Sequence, residues 1–111
     1  MAASKDRLFG VLDLLVLTAL GSSGRPLHGY DITEHVRRTS DEVLQMEEGS
    51  LYPALHRMEE AGWVRSEWDV SDNNRRARYY SITAKGRRHL RELQARWTTH
   101  VEAVTRVLRH A

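Results

Sequence analysis

Leu8, Leu12, Leu15 and Ala19 recur at helical spacing, and Val11, Leu14, Val16 and Leu17 carry the apolar surface almost all the way round. The pattern predicts a first helix from about Lys5 to Leu20. An apolar surface that wide needs two partners, the chain's own core and a second subunit. Gly21 to Pro26 is rich in breakers and reads as a loop. Tyr30, Ile32, His35 and Val36 then mark a shorter helix from His28 to about Thr39. A third is expected from Leu51 to Ala61, with Ser50 as N-cap, Pro53 in its first turn and Gly62 closing it. Leu51, Leu55 and Met58 form its inner face, which leaves Tyr52, Pro53, His56, Arg57, Glu59 and Glu60 outside.

The period then switches to two. Val64, Ser66, Trp68 and Val70 alternate with Arg65, Glu67 and Asp69, and Tyr80 and Ile82 resume the alternation. Ser71-Asp72-Asn73-Asn74 is turn chemistry, so Trp63–Val70 and Arg76–Ile82 read as a β-hairpin, with Trp63 and Trp68 expected in the core. Thr83 caps a last helix of about 27 residues, although Gly86 stands where a capping box would place Glu. Leu90, Leu93, Trp97, His100, Val104 and Val107 repeat at spacings of three and four, broadened by Val101 and Leu108. That helix is longer than a small core can cover, and a coiled-coil-like contact with a second copy uses the surplus.

Composition narrows the class. The chain has 111 residues, enough for one domain, and 29% of them are charged. It has no cysteine, which excludes a disulfide framework, a thiolate metal site and a cysteine nucleophile. The apolar run from Leu8 to Leu20 is too short to span a bilayer and no cleavage-site pattern follows it, so a cytoplasmic protein without membrane contact is expected. His28, Asp31 and His35 fall on one helical face, but no further Glu or Cys completes a ligand set, so no metal or cofactor is expected. No Ser/His/Asp order, phosphate loop or paired carboxylates suggest an enzyme.

Charge is more informative in its distribution than in its sum of +2. Residues 1–62 carry six Lys/Arg against ten Asp/Glu, and residues 63–111 carry eleven against five. Between Asn73 and Arg91 lie seven basic residues (Arg75, Arg76, Arg78, Lys85, Arg87, Arg88 and Arg91) and no acid. Such a stripe on a nearly neutral chain points to a polyanion.

Three helices, a hairpin with a basic tip and a long final helix are the plan of a winged helix-turn-helix, a mainly α (α+β) fold. Residues 1–82 are assigned to DNA binding, with the first helix also in the subunit contact. Residues 83–111 form a dimerisation helix of the same domain. The third helix suits the major groove and the hairpin suits phosphates or the minor groove. Ser50 and Tyr52 are expected near phosphate at the helix start. Pro53, His56 and Arg57 are expected at base edges, where Arg can fork onto guanine. Arg75, Arg76 and Arg78 are the wing cations. Tyr30, Leu51, Tyr79 and Lys85 complete the expected DNA-binding set.

Leu27-His28-Gly29-Tyr30-Asp31-Ile32, Gly49-Ser50-Leu51-Tyr52-Pro53-Ala54-Leu55-His56-Arg57-Met58-Glu59 and Ala61-Gly62-Trp63-Val64 resemble the PadR-like transcriptional regulators. Arg75-Arg76-Ala77-Arg78-Tyr79-Tyr80-Ser81-Ile82-Thr83-Ala84-Lys85-Gly86 resembles that family's wing, except that Asn73-Asn74-Arg75-Arg76-Ala77 stands where a Gly-Arg-Pro-like run is common. The segments run in order from about Leu12 to Leu90, and the chain resembles the family's short members. The resemblance implies a dimeric, usually repressing, regulator whose first and last helices make the subunit contact, here Leu8, Leu12, Leu15, Leu90, Leu93, Trp97 and Val104. It also implies a cavity between the subunits. Two copies of Trp97 would sandwich a flat aromatic or hydrophobic effector there, against Val16, Ala19, Leu93 and Val101. The operator would be pseudo-palindromic.

Two other readings stand beside this one. The acids Asp41, Glu42, Glu47 and Glu48 before the third helix would repel DNA if they faced it, which suits a protein-interaction module. A non-specific architectural binder would use the same fold without sequence preference.

Overall fold

The first helix, α1, spans Ala2–Ser23 and is followed by α2 (Gly29–Thr39), α3 (Glu48–Glu60), β1 (Val64–Val70), β2 (Arg76–Ile82) and α4 (Ala84–Arg109). The computed structural model describes residues 2–70 and 73–111, with side chains from 11 onward. The expected turn residues Ser71 and Asp72 and the side chain of Leu8 lie outside it.

The breadth of the apolar surface of α1 is used as the sequence demands. Val16, Leu17, Ala19 and Leu20 are buried, and against them pack Ile32 of α2, Leu51, Ala54, Leu55 and Met58 of α3, Val64 and Tyr80 of the hairpin, and Leu93 of α4. The hairpin is antiparallel, with Val64 opposite Ile82 and Val70 opposite Arg76. Leu27 joins the free edge of β2, exchanging two backbone bonds with Tyr80 at 3.0 and 2.8 Å. Burial raises the pKa of the Tyr80 phenol, against a smaller lowering by Arg78.

Helix ends follow local chemistry. The His28 ring caps α2, its Nδ1 accepting from the Asp31 N–H at 3.2 Å. The end of α3 is a Schellman motif: Gly62 has φ +83, its N–H donates to Glu59, and the Trp63 N–H donates to Met58. Thr83 caps α4 through Oγ1, which accepts from Gly86 N–H at 2.9 Å and donates to the Gly62 carbonyl at 2.6 Å. The absent capping-box Glu has a steric cause, because a Cβ on Gly86 would collide with the Trp63 carbonyl.

Three expectations need correction. Helix α1 runs on to Ser23, so Gly21, Ser22 and Ser23, which the breaker-rich pattern assigns to the loop, are helical. Helix α3 begins at Glu48, not Leu51, so Glu47 is its N-cap and Ser50 lies inside the first turn. Pro53 is therefore internal, without an N–H to offer the carbonyl of the exposed Gly49. Trp63 is half-buried, stacked on His89 with centroids 3.7 Å apart, but Trp68 is 55% exposed and is not a core residue.

The molecule measures 55 × 29 × 27 Å, and its radius of gyration of 15.2 Å exceeds the about 13 Å usual for this length. Helix α4 accounts for the excess. Leu93 is its last buried residue, and beyond it only Thr105 is even half-buried. No described helix is long and apolar enough to cross a membrane.

Candidate nucleic-acid interface

Helix α3 sorts its residues by period. Leu51, Ala54, Leu55 and Met58 point inward, and Ser50, Tyr52, Pro53, His56 and Glu60 are exposed. Leu51 is fully buried, so its side chain cannot touch DNA as expected. The exposed strip holds the Ser50 and Tyr52 hydroxyl groups in the first turns, toward the positive end of the helix dipole, and the His56 imidazole further along. Glu47, the N-cap, makes no side-chain capping bond. Gly29 of α2 makes room for the Tyr52 ring, since a Cβ there would come within 2.5 Å of the Tyr52 hydroxyl.

Arg57 departs from its expected role. Its Nη1 and Nη2 donate to the two carboxylate oxygens of Asp13 at 2.9 and 2.8 Å. This hydrogen bonding raises the Arg57 pKa, against a smaller opposing effect of burial. The pair takes up the end-on fork of the guanidinium and leaves only its Nε edge and outer Nη1 proton for another acceptor. Asp13 was missed from the sequence because one acid within an apolar helix reads as an interruption of its pattern.

The wing lies beside α3. Arg75, Arg76 and Arg78 are exposed, as is Lys85 at the start of α4. Arg78 Nε donates to Ser66 Oγ at 2.8 Å, and that hydroxyl donates to Glu59 Oε2 at 2.7 Å. Glu59 also stands 3.7 Å from Arg78 Nη2. The relay ties wing to helix and explains an acid at the end of an otherwise DNA-compatible face. Tyr79 is half-buried with its ring 5.2 Å from His28, and Tyr30 projects into solvent 6.3 Å from the same imidazole. Tyr52, Pro53 and His56 thus share one helix face, with Ser50 at its edge toward α1, while Arg75, Arg76, Arg78 and Lys85 are exposed on the wing and its continuation.

The expected subunit face divides differently. Leu12, Leu15 and Leu90 are half-buried and Leu93 is buried, whereas Trp97 is 44% exposed and Val101 and Val104 are similarly open. Val16 and Ala19 have no accessible surface, so they do not line an effector cavity as expected; they belong to the core of α1. A groove of about 320 Å³ does flank α1, but Val11, Leu12, Leu15, Leu44, Gln45, Met46, Glu47 and Ser50 line it and Trp97 does not. Among the described residues no group of three His, Cys, Asp or Glu is placed to hold a metal ion.

Known proteins share this architecture. A transcriptional regulator from Clostridium thermocellum superposes with a TM-score of 0.79 at 26% identity, over 91% of this chain and 96% of that one. A PadR family transcriptional regulator from Eggerthella lenta gives 0.73 at 32% identity, over 96% and 88%. An uncharacterized protein of Lysinibacillus sphaericus is 30% identical over 100 residues, 89% of each chain. The sequence profile of the transcriptional regulator PadR-like family matches residues 16–92, the span that holds α3, the wing and most of the core. The chain belongs to the PadR-like family of transcriptional regulators.

Proposed function

We propose that the chain is a cytoplasmic homodimeric repressor that binds a pseudo-palindromic operator and leaves it when a small apolar effector binds. The observation that carries DNA binding is the pairing of an unencumbered α3 face, with Tyr52, Pro53 and His56 outward, and an exposed cationic wing. The helix supplies base and phosphate contacts in the major groove, and Arg75, Arg76 and Lys85 add sequence-independent affinity. Residues 1–82 hold this apparatus apart from Lys85, and the rest of residues 83–111 pairs with a second copy.

Pairing is supported by Trp97, Val101 and Val104, which follow one another by four and three residues along α4 and are 40–44% exposed, unusually open for large apolar side chains. Two recognition helices related by a two-fold axis read half-sites about one helical turn apart. The effector would sit where the two copies of Trp97 approach. Its lining is confined to exposed groups such as Trp97 and Val101, since Val16 and Ala19 are internal.

The test is selection of genomic fragments on the purified protein at physiological salt, followed by footprinting. A two-fold symmetric protected site is the expected result. Enrichment without a shared site would replace regulation by architectural binding, and no retained DNA would sink the reading.

A further inference from the structure

The strand register sorts the charges of the wing. Directly opposed residues share a face, so Trp68 with Arg78 and Val70 with Arg76 lie on one side. Glu67 with Tyr79 and Asp69 with Ala77 lie on the other. One face of the distal hairpin therefore carries two guanidinium groups and the opposite face two carboxylates. Near the body the cationic face is the one that Val64 and Tyr80 bury in the core. Beyond Ser66, which Glu59 of α3 reaches, it runs on uncovered.

Trp68 sits at the centre of that uncovered face. The guanidinium carbon of Arg76 stands 5.0 Å from its ring centroid and that of Arg78 stands 5.4 Å away. Arg78 is further held by Ser66 and Glu59. The ring thus fixes two cations on one exposed surface, which a planar guanidinium permits at low entropic cost. Two like charges on one ring repel; Glu59 offsets that of Arg78 in part, and an anion lying across both relieves the rest. Val70 beside them is also exposed, so the patch mixes cationic and apolar character. A sugar–phosphate backbone offers the same mixture.

We propose that the wing meets DNA with this face, Trp68 lying against the sugar–phosphate backbone while Arg76 and Arg78 bind phosphates beside it. The inference rests on the DNA-binding reading above and adds a side to it. A wing turned the other way would bring Glu67 and Asp69 against the phosphates. Trp68 acts as a contact and as the shelf that positions the two arginines.

Fluorine NMR of the full chain labelled with 5-fluorotryptophan tests this, because Trp63, Trp68 and Trp97 give one resonance each and Trp68→Phe assigns the middle one. A short duplex of arbitrary sequence, titrated at low salt, is expected to shift the Trp68 resonance and leave that of Trp63, stacked on His89, in place. In the same buffer Trp68→Ala should weaken duplex binding about five- to tenfold. A thermal melt separates this from bracing of the hairpin. Lost stability with a Trp68 resonance that DNA does not move would overturn the proposal and leave DNA binding standing. If the wild-type chain fails to bind the duplex at all, the functional reading falls and takes the proposed face with it.

Discussion

Arg57 of α3 and Asp13 of α1 are joined by two parallel hydrogen bonds of 2.9 and 2.8 Å across 44 positions of sequence. The pair is lopsided: the Asp13 side chain is 9% exposed and that of Arg57 50%. It fastens the proposed recognition helix to the helix on which the rest of the fold is packed.

Removing the two partners should therefore cost unequal amounts. Arg57→Ala leaves a buried carboxylate without its counter-ion, and a loss of about 1–3 kcal/mol is expected, reduced from the cost of a fully buried pair by the solvent that reaches Arg57. Asp13→Asn keeps a hydrogen-bonding group under a guanidinium that water can solvate, and should cost less than about 1 kcal/mol. Urea unfolding of both variants checks the order. Equal losses would mean that Asp13 is not the partner that needs compensation.

Leu51 and His56 stand on opposite sides of α3 and separate folding from recognition. Leu51→Ala opens a cavity in the core and should cost about 2–5 kcal/mol. His56→Ala should change stability by less than about 0.5 kcal/mol and weaken binding at the selected operator. Thermal melts and titration with operator DNA read the two effects. A destabilised His56→Ala with unchanged operator affinity would remove this residue from the interface.

Gly86→Glu would complete the capping box that Thr83 begins, and by the local rule it would stabilise α4. It is expected to destabilise instead, as is Gly86→Ala, because any Cβ meets the Trp63 carbonyl. The measurement is the melting temperature of each variant, and a rise in either would show that the α4 start can move off Trp63.

Gly86 illustrates what the sequence made legible. The order of helices and strands, the Thr83 cap and the Gly62 stop are local, so spacing and residue type reveal them. Trp68 is different. Its alternation with Val64 and Ser66 says which face of the hairpin it takes, but not that the body beneath ends near Ser66. Val16 and Ala19 were misplaced for a related reason. On a helix apolar nearly all round, periodicity cannot say which stripe meets its own core and which is left for another molecule. The start of α3 was missed because Glu47 makes no side-chain capping bond while Ser50 has the preferred capping chemistry.

Arg75 and Arg76 give the wing an electrostatic signature. Replacing both by Ala should weaken binding to every duplex and flatten the dependence of log affinity on log salt by about two units, one for each lost phosphate contact. Binding measured over a range of salt on operator and unrelated DNA provides the slopes. An unchanged slope would place the wing off the phosphates, whatever the effect on affinity.

Along the outer half of α4, Trp97, Val101 and Val104 form a partly exposed apolar line, and this sets a choice between two roles for Trp97. Val104→Asp puts a charge where the helices of two copies would meet, and burying it unpaired is prohibitive. The expected result is a monomer by light scattering, with a melting temperature that no longer rises with protein concentration as that of a dimer does. Trp97→Ala should leave a dimer with near-normal operator affinity and abolish release by an apolar effector. If Trp97→Ala also yields monomers, the indole is part of the packing between subunits and the effector role is gone. If Val104→Asp remains dimeric, the subunit contact lies elsewhere, and the groove flanking α1 between Leu15 and Leu44 becomes the next surface to test.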